Sequence, residues 1–302
     1  AMSAGLPQEW QQWFYENLAR GCQPAQLFDT LSANGFAADL QHALTEASQH
    51  FPHLRDQFEQ MRTWLTPTND APVGVPATPP MVIAPHLFEQ AQHSIDVAGH
   101  QVRLTVQLRS PAIVCFDDFL TDPECEALIS LAEDSGQISR STVVQDHDGV
   151  LTVDHRRSSE QAWFARGQTP LIAQIEARIA DVLRYPATHG EGLQVLRYRD
   201  GGEYRPHFDF FDPKLGGSAK HLAVGGQRVA TLILYLSDVA QGGATAFPDI
   251  GLTVRPKRGS ALLFANLTPD RQVDRRTLHA GLPVLSGCKY IATKWLREQV
   301  YG

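Results

Sequence analysis

The chain has 302 residues, 43% of them hydrophobic and 20% charged, with a net charge of −7. That length accommodates one domain of about 200 residues plus a smaller one and a sizeable core without disulfides, while the acidic balance argues against a nucleic-acid partner, whose phosphates call for a basic surface. No stretch of 18 apolar residues predicts a membrane span, the start "AMSAGLPQEW" lacks a basic and apolar leader, and Cys22, Cys115, Cys125 and Cys288 form no C-x-x-C pair; a cytoplasmic, reducing setting is the expectation.

From Gln8 to Leu65 apolar residues recur at helical spacing, among them Trp10, Trp13, Phe14, Leu18, Leu27, Leu31, Leu40 and Leu44. The spacing predicts a small bundle of three or four helices over residues 1–65, with Pro24 and Gly35 at its turns. Residues 66–85, "TPTNDAPVGVPATPPMVIAP", hold six prolines in twenty positions and read as a linker. Residues 86–302 form the remaining domain.

Within it "AIVCFDDFLTDPECEALISLAED" predicts a strand and then a helix capped near Thr121 or Asp122, with Glu124 and Glu126 in the first turn. A second amphipathic helix is expected from Pro170 to Leu183. From Gly192 onward the chain breaks into short β-rich runs separated by Gly and Pro, including "LQVLRY", "PHFDFF", "RVATLILYLSD", "SALLFANL", "TLHAGLPVL" and "YIATKWLRE". Such punctuation predicts a sandwich or closed double sheet, with the two helices packed on one outer face.

Side chains two apart on a strand share a face, so His207 and Asp209 of "YRPHFDFF" present an imidazole and a carboxylate side by side. A histidine from another strand would complete two histidines and one carboxylate, a set that leaves open positions on a divalent iron. His279 supplies such a residue. Lys289 opens the apolar run "KYIATKW", where burial requires a partner such as a ligand carboxylate. Folding "TLHAGLPVL" and "YIATKWLRE" back on each other as neighbouring strands would place Lys289 near His279. Thr231 and Tyr198 lie on faces expected to point into the same interior. Residues 212–227, "DPKLGGSAKHLAVGGQ", read as a mobile loop over a substrate.

The stretches "LQVLRYRDGGEYRPHFDFF", "QRVATLILYLSDVAQGGATAFPD", "LTVRPKRGSALLF" and "LHAGLPVLSGCKYIATKWLRE" resemble the catalytic domain of the prolyl 4-hydroxylases, collagen-type and plant or algal-type. The resemblance covers about residues 110–298. It implies an α+β fold, a double-stranded β-helix (jelly roll) with flanking helices, here preceded by the N-terminal helical domain. It implies a dioxygenase that uses Fe(II), O2 and 2-oxoglutarate, with ascorbate as a further requirement, and that hydroxylates prolyl residues in a peptide or protein while 2-oxoglutarate becomes succinate. Matched position by position, the iron ligands are His207, Asp209 and His279. Lys289 takes the distal carboxylate of 2-oxoglutarate, assisted by Tyr198 and Thr231. The peptide groove is matched by Arg157, Ser159, Glu191, Tyr204, Arg228 and Trp295. Relatives commonly read "KWLHE" where this chain reads "KWLRE", so Arg297 replaces a histidine near the groove. Because a guanidinium always carries charge and forks to carboxylates or carbonyls, Arg297 keeps open a second reading, a hydroxylase of a free amino or imino acid. A third is an interaction or oxygen-sensing module worked by the N-terminal bundle, which could also pair two copies of the chain.

Overall fold

The computed structural model describes residues 5–19, 24–31, 36, 39–59, 83–88, 93–136, 138–144, 151–153 and 158–302. The chain divides into two compact units, Ala1–Thr78 and Pro79–Gly302.

In the first unit, helices Gln8–Ala19, Pro24–Leu31 and Leu40–His50 bury one stripe each. Phe14, Leu18, Leu27, Phe28, Leu31, Leu40, Leu44 and Phe58 form the core, and Trp10 and Trp13 pack partly buried against it. Phe14 meets Phe28 edge-on at 5.4 Å between ring centroids, a favoured aromatic geometry. Most of the proline-rich stretch lies outside the described residues. Its last residues behave differently from a spacer: Ile83 and Ala84 are buried in the core of the second unit, together with Leu87 and Phe88.

The second unit is built on a nine-stranded sheet. Inside it, strand Lys289–Arg297 pairs antiparallel with the middle strand Arg228–Tyr235 on one side and Gly190–Tyr198 on the other. Period-two alternation gives this strand two buried faces. Ala292, Lys294 and Leu296 turn toward the helices, while Lys289, Ile291, Thr293 and Trp295 turn inward. The helix side carries Asp122–Asp134 and Pro170–Leu183, whose Cys125, Leu128, Ile172, Ile175, Ile179 and Val182 share one apolar cluster with Leu193, Ala230, Leu232 and Ala292. Both helices start on a threonine cap, the first as the sequence predicts. Thr121 and Glu124 form a capping box, and Thr169 caps the second helix by accepting from the Ile172 N–H.

Opposite the inner face lies a four-stranded sheet in the order Leu252–Val254, Thr245–Phe247, His279–Gly281, Tyr204–His207. The two layers enclose a second core around Leu196, Ile233, Tyr235, Phe247, Leu262 and Phe264, and together they make a double-stranded β-helix. One hairpin escaped the sequence reading, Ser94–Val97 with His100–Leu108 at the sheet edge. Its signal is "SIDVAGHQVRL", in which Ala98 and Gly99 both take positive φ (52° and 84°), the turn geometry that matches strand twist.

Candidate active site

Antiparallel pairing sets His279 directly opposite His207, so strands from distant parts of the chain bring two imidazoles to a centroid distance of 4.3 Å. The strand begun at Tyr204 ends at His207, so Asp209 belongs to the turn beyond it and not, as the alternation predicts, to the strand itself. It is buried all the same, with Oδ1 3.5 Å from His207 Nε2 and Oδ2 3.7 Å from His279 Nε2. One donor atom from each of the three residues falls within 4.8 Å of the others.

The second ring nitrogens fix how the histidines face. His207 Nδ1 donates to the Arg205 carbonyl at 2.9 Å and His279 Nδ1 to the Thr277 carbonyl at 3.0 Å. A carbonyl only accepts, so each proton sits on Nδ1 and each Nε2 lone pair is turned toward Asp209. Burial, reinforced by the neighbouring His207, pushes the His279 imidazole down to about 4, which keeps it neutral and able to ligate at physiological pH. Burial acts to raise the Asp209 carboxyl, but the His279 and His207 imidazoles whenever they carry a proton on Nε2, and the Arg228 guanidinium at all times, pull it well below the usual carboxylate range. Two neutral nitrogens and one carboxylate oxygen, all unprotonated at their open atoms, fit a divalent iron.

Thr231 is buried beside Asp209, and its hydroxyl donates to Asp209 Oδ2 at 2.8 Å. Behind it Asn266, which the sequence reading passed over, donates from Nδ2 to Thr231 Oγ1 at 3.1 Å. A polar residue ending the apolar run "ALLFAN" was the available signal.

Lys289 lies in the same cavity, 2% exposed, opposite Tyr198 in the strand register. Its Nζ stands 5.3 Å from the Tyr198 ring centroid and 6.0 Å from that of Tyr235, and among the described residues no carboxylate pairs with it. Burial pushes its ammonium down to about 8. His279 and Lys289 are not on neighbouring strands as the fold-back reading had it. Strand His279–Gly281 pairs within the small sheet and Lys289–Arg297 within the large one, so the two residues face one interior from opposite layers. The cavity between them has a volume of about 680 Å³, and Trp163, Tyr204, Phe208, Leu215, Arg228 and Trp295 are among the side chains that line it.

The remaining predicted groove residues separate. Tyr204 stacks on His207 at 3.5 Å, and Trp295 lies under the Arg228 guanidinium at 4.0 Å. Glu191 is buried and does not line the cavity; it grips Arg228 with both carboxylate oxygens, at 2.6 and 2.9 Å, and takes a third bond from Arg297 at 3.0 Å. Burial pushes the Glu191 carboxyl up, but the two arginines prevail and hold it ionised. Ser159 is fully buried on Ser141, 2.8 Å between hydroxyl oxygens, away from the cavity. Arg157 lies outside the described residues. Arg297, expected near the substrate, is 2% exposed and committed to protein acceptors. Gln161 and Gln194, joined at 2.6 Å, line the cavity without having been predicted.

The 2OG-Fe(II) oxygenase superfamily model matches residues 193–297. A probable prolyl 4-hydroxylase 10 of Arabidopsis thaliana is 40% identical over 210 residues, which are 63% of this chain and 70% of that protein. The prolyl 4-hydroxylase subunit alpha-1 of Gallus gallus is 41% identical over 189 residues, again 63% of this chain but only 36% of that longer subunit. Among solved structures, a viral collagen prolyl hydroxylase from Paramecium Bursaria Chlorella virus-1 in its 2OG complex aligns with 61% of this chain and 95% of that one, at 34% identity and a TM-score of 0.49. The chain belongs to the prolyl 4-hydroxylase family of 2-oxoglutarate- and Fe(II)-dependent dioxygenases.

Proposed function

We propose that the cavity hydroxylates a prolyl residue of a peptide or protein, with His207, Asp209 and His279 holding Fe(II) and Lys289 holding the distal carboxylate of 2-oxoglutarate. The observation that carries the reading is Lys289, a buried cation with no carboxylate partner among the described residues, facing the same cavity as the three ligand atoms. An ammonium so placed is costly until an anion arrives, and a dicarboxylate reaching from the metal-binding end would satisfy it. Tyr198 lies beneath the ammonium and limits where that carboxylate can settle. Bound iron, with 2-oxoglutarate and O2, supplies the oxidising power that turns a C–H bond into an alcohol as 2-oxoglutarate becomes succinate and CO2.

The chain's own contribution is placement. Thr231 and the two backbone carbonyls fix the ligand atoms before any metal binds, and the aromatic walls of Phe208, Phe210 and Trp295 keep water from the reacting carbon. Arg228, clamped by Glu191 and donating to the Asp209 carbonyl at 3.4 Å, ties the substrate wall to the metal end. Trp163, 40% exposed at the mouth, and Trp295 behind it, with ring centroids 5.7 Å apart, suit the flat ring of proline in an extended chain. The free-imino-acid reading loses its main support, because both terminal nitrogens of Arg297 already donate to protein acceptors. Ascorbate, to keep the iron reduced, belongs to the same proposal.

The test is mass spectrometry of proline-rich peptides and of free proline after incubation with Fe(II), ascorbate and 2-oxoglutarate. A gain of one oxygen on peptidyl proline, matched by succinate, is expected. Oxidation of free proline alone would replace the peptide reading.

A further inference from the structure

The loop that follows the turn carrying Asp209 is held down by a side chain from the end of strand Lys289–Arg297. Residues 212–227 connect Phe211 to Arg228, and Leu215, Gly217 and Ser218 from this loop form part of the cavity wall. Arg297 points its guanidinium beneath the loop. Nη1 donates to Glu191 Oε1 at 3.0 Å, while Nη2 donates to the His221 and Val224 carbonyls. Its Cζ lies 5.1 Å from the ring centroids of both Phe211 and Tyr301, and Phe211 in turn stacks on His221 with the rings 8° from parallel. Gly225 makes this approach feasible: its φ is +74°, and a Cβ there would stand 3.0 Å from the Tyr301 ring and 3.3 Å from Arg297 Nε. The loop's ends are tied as well, by the Gln227 amide to both backbone groups of Phe211 and by the Gln299 N–H to the Gly225 carbonyl.

A guanidinium keeps its charge at any working pH and offers only donors. Swinging the loop away would remove two acceptors from a buried cation, so opening carries the penalty of unpaired buried donors. We propose that Arg297 is a positioning residue for the substrate mouth, latching the 212–227 loop closed in the resting enzyme so that the wall of Leu215, Gly217 and Ser218 stands before substrate arrives. Because Glu191 is shared with Arg228, the latch and the substrate wall rest on one carboxylate. The inference that this sets peptide affinity rests on the peptide reading above; the state of the loop does not.

Amide hydrogen exchange across residues 215–226 and steady-state kinetics, compared between wild type, Arg297→His and Arg297→Lys, test both parts. The wild-type loop, without peptide, is expected to be protected. In Arg297→His its exchange should speed at least about tenfold while strand Arg228–Tyr235 keeps its protection. The KM for a proline-rich peptide should rise about tenfold with little change in the KM for 2-oxoglutarate, and lysine, which keeps the charge without the fork, should fall between. Loop amides that exchange as freely in the wild type as in Arg297→His overturn the latch, as does an equal rise in both KM values. Should Arg297→His fail to fold, unprotected loop amides in the wild type alone would overturn it and protected ones support it. Should no prolyl peptide be turned over, the exchange comparison still decides the latch, and only the peptide reading falls.

Discussion

Thr231 Oγ1 donates to Asp209 Oδ2 at 2.8 Å, across a buried contact between the central sheet and the turn after His207. Asp209 has no regular secondary structure to hold it, so this hydroxyl, backed by Asn266, does the holding. Thr231→Val keeps the shape and deletes the donor. A hydrogen bond to a buried charge contributes about 1.5–3 kcal/mol, and orienting partners of ligands typically change metal affinity about tenfold to a hundredfold. Fe(II) titration of the variant should show a loss in that range, and unchanged iron affinity would mean that Asp209 is held by other contacts.

Replacing His207, Asp209 or His279 with Ala should abolish substrate-coupled turnover and leave a folded protein, because each substitution removes a ligand atom from a cavity wall and not a large apolar contact. Circular dichroism together with iron titration checks this. Full iron affinity and succinate production in Asp209→Ala would remove Asp209 from the metal site.

Lys289→Ala should raise the KM for 2-oxoglutarate about tenfold to a hundredfold, the equivalent of one charge-assisted contact. Since the lysine is buried without a carboxylate among the described residues, Lys289→Met should melt no lower than wild type when 2-oxoglutarate is absent. A melting temperature several degrees lower would show that Lys289 has a partner in the resting protein.

The same lysine predicts a pH dependence. In the folded protein it loses its proton at about 8, against an ordinary 10.5 when unfolded. Between those values the unfolded chain binds more protons, so the 2-oxoglutarate-free protein should gain stability as pH rises from about 8 toward 10.5, a gain missing from Lys289→Met. Affinity for 2-oxoglutarate runs the other way: a dianion needs the ammonium, so binding should be level below pH 8 and weaken above it. Denaturant titrations and calorimetry at pH 7, 8 and 9 measure the two trends.

For the N-terminal unit we expect independence from the chemistry. A chain beginning at Pro79 keeps Ile83, Ala84, Leu87 and Phe88 in the core of the second unit. It should stay soluble and couple 2-oxoglutarate decarboxylation to hydroxylation of a short peptide, acting poorly only on a full-length protein substrate if the bundle recruits it. Aggregation, or loss of iron binding, would give the bundle a structural role instead.

The sequence by itself determined what depends on neighbours in the chain. Helix starts at Thr121 and Thr169 are settled by residues three positions away, and the inward faces of "RVATLILY" and "KYIATKW" by alternation. The H-x-D pair, the later histidine and the lysine ten residues beyond it were all legible, because one resemblance spans them. Tertiary structure decided what strand pairing and layer packing bring together. Only the register of two short strands sets His279 against His207, and only the closure of two sheets lets Lys289 face His279 from the other layer. Thr231 and Arg297 make the point most clearly. From sequence alone Thr231 and Arg297 do not reveal which groups they meet in the protein, whereas in the fold a hydroxyl and a guanidinium shut away from water must find acceptors, which Asp209, Glu191 and two loop carbonyls provide.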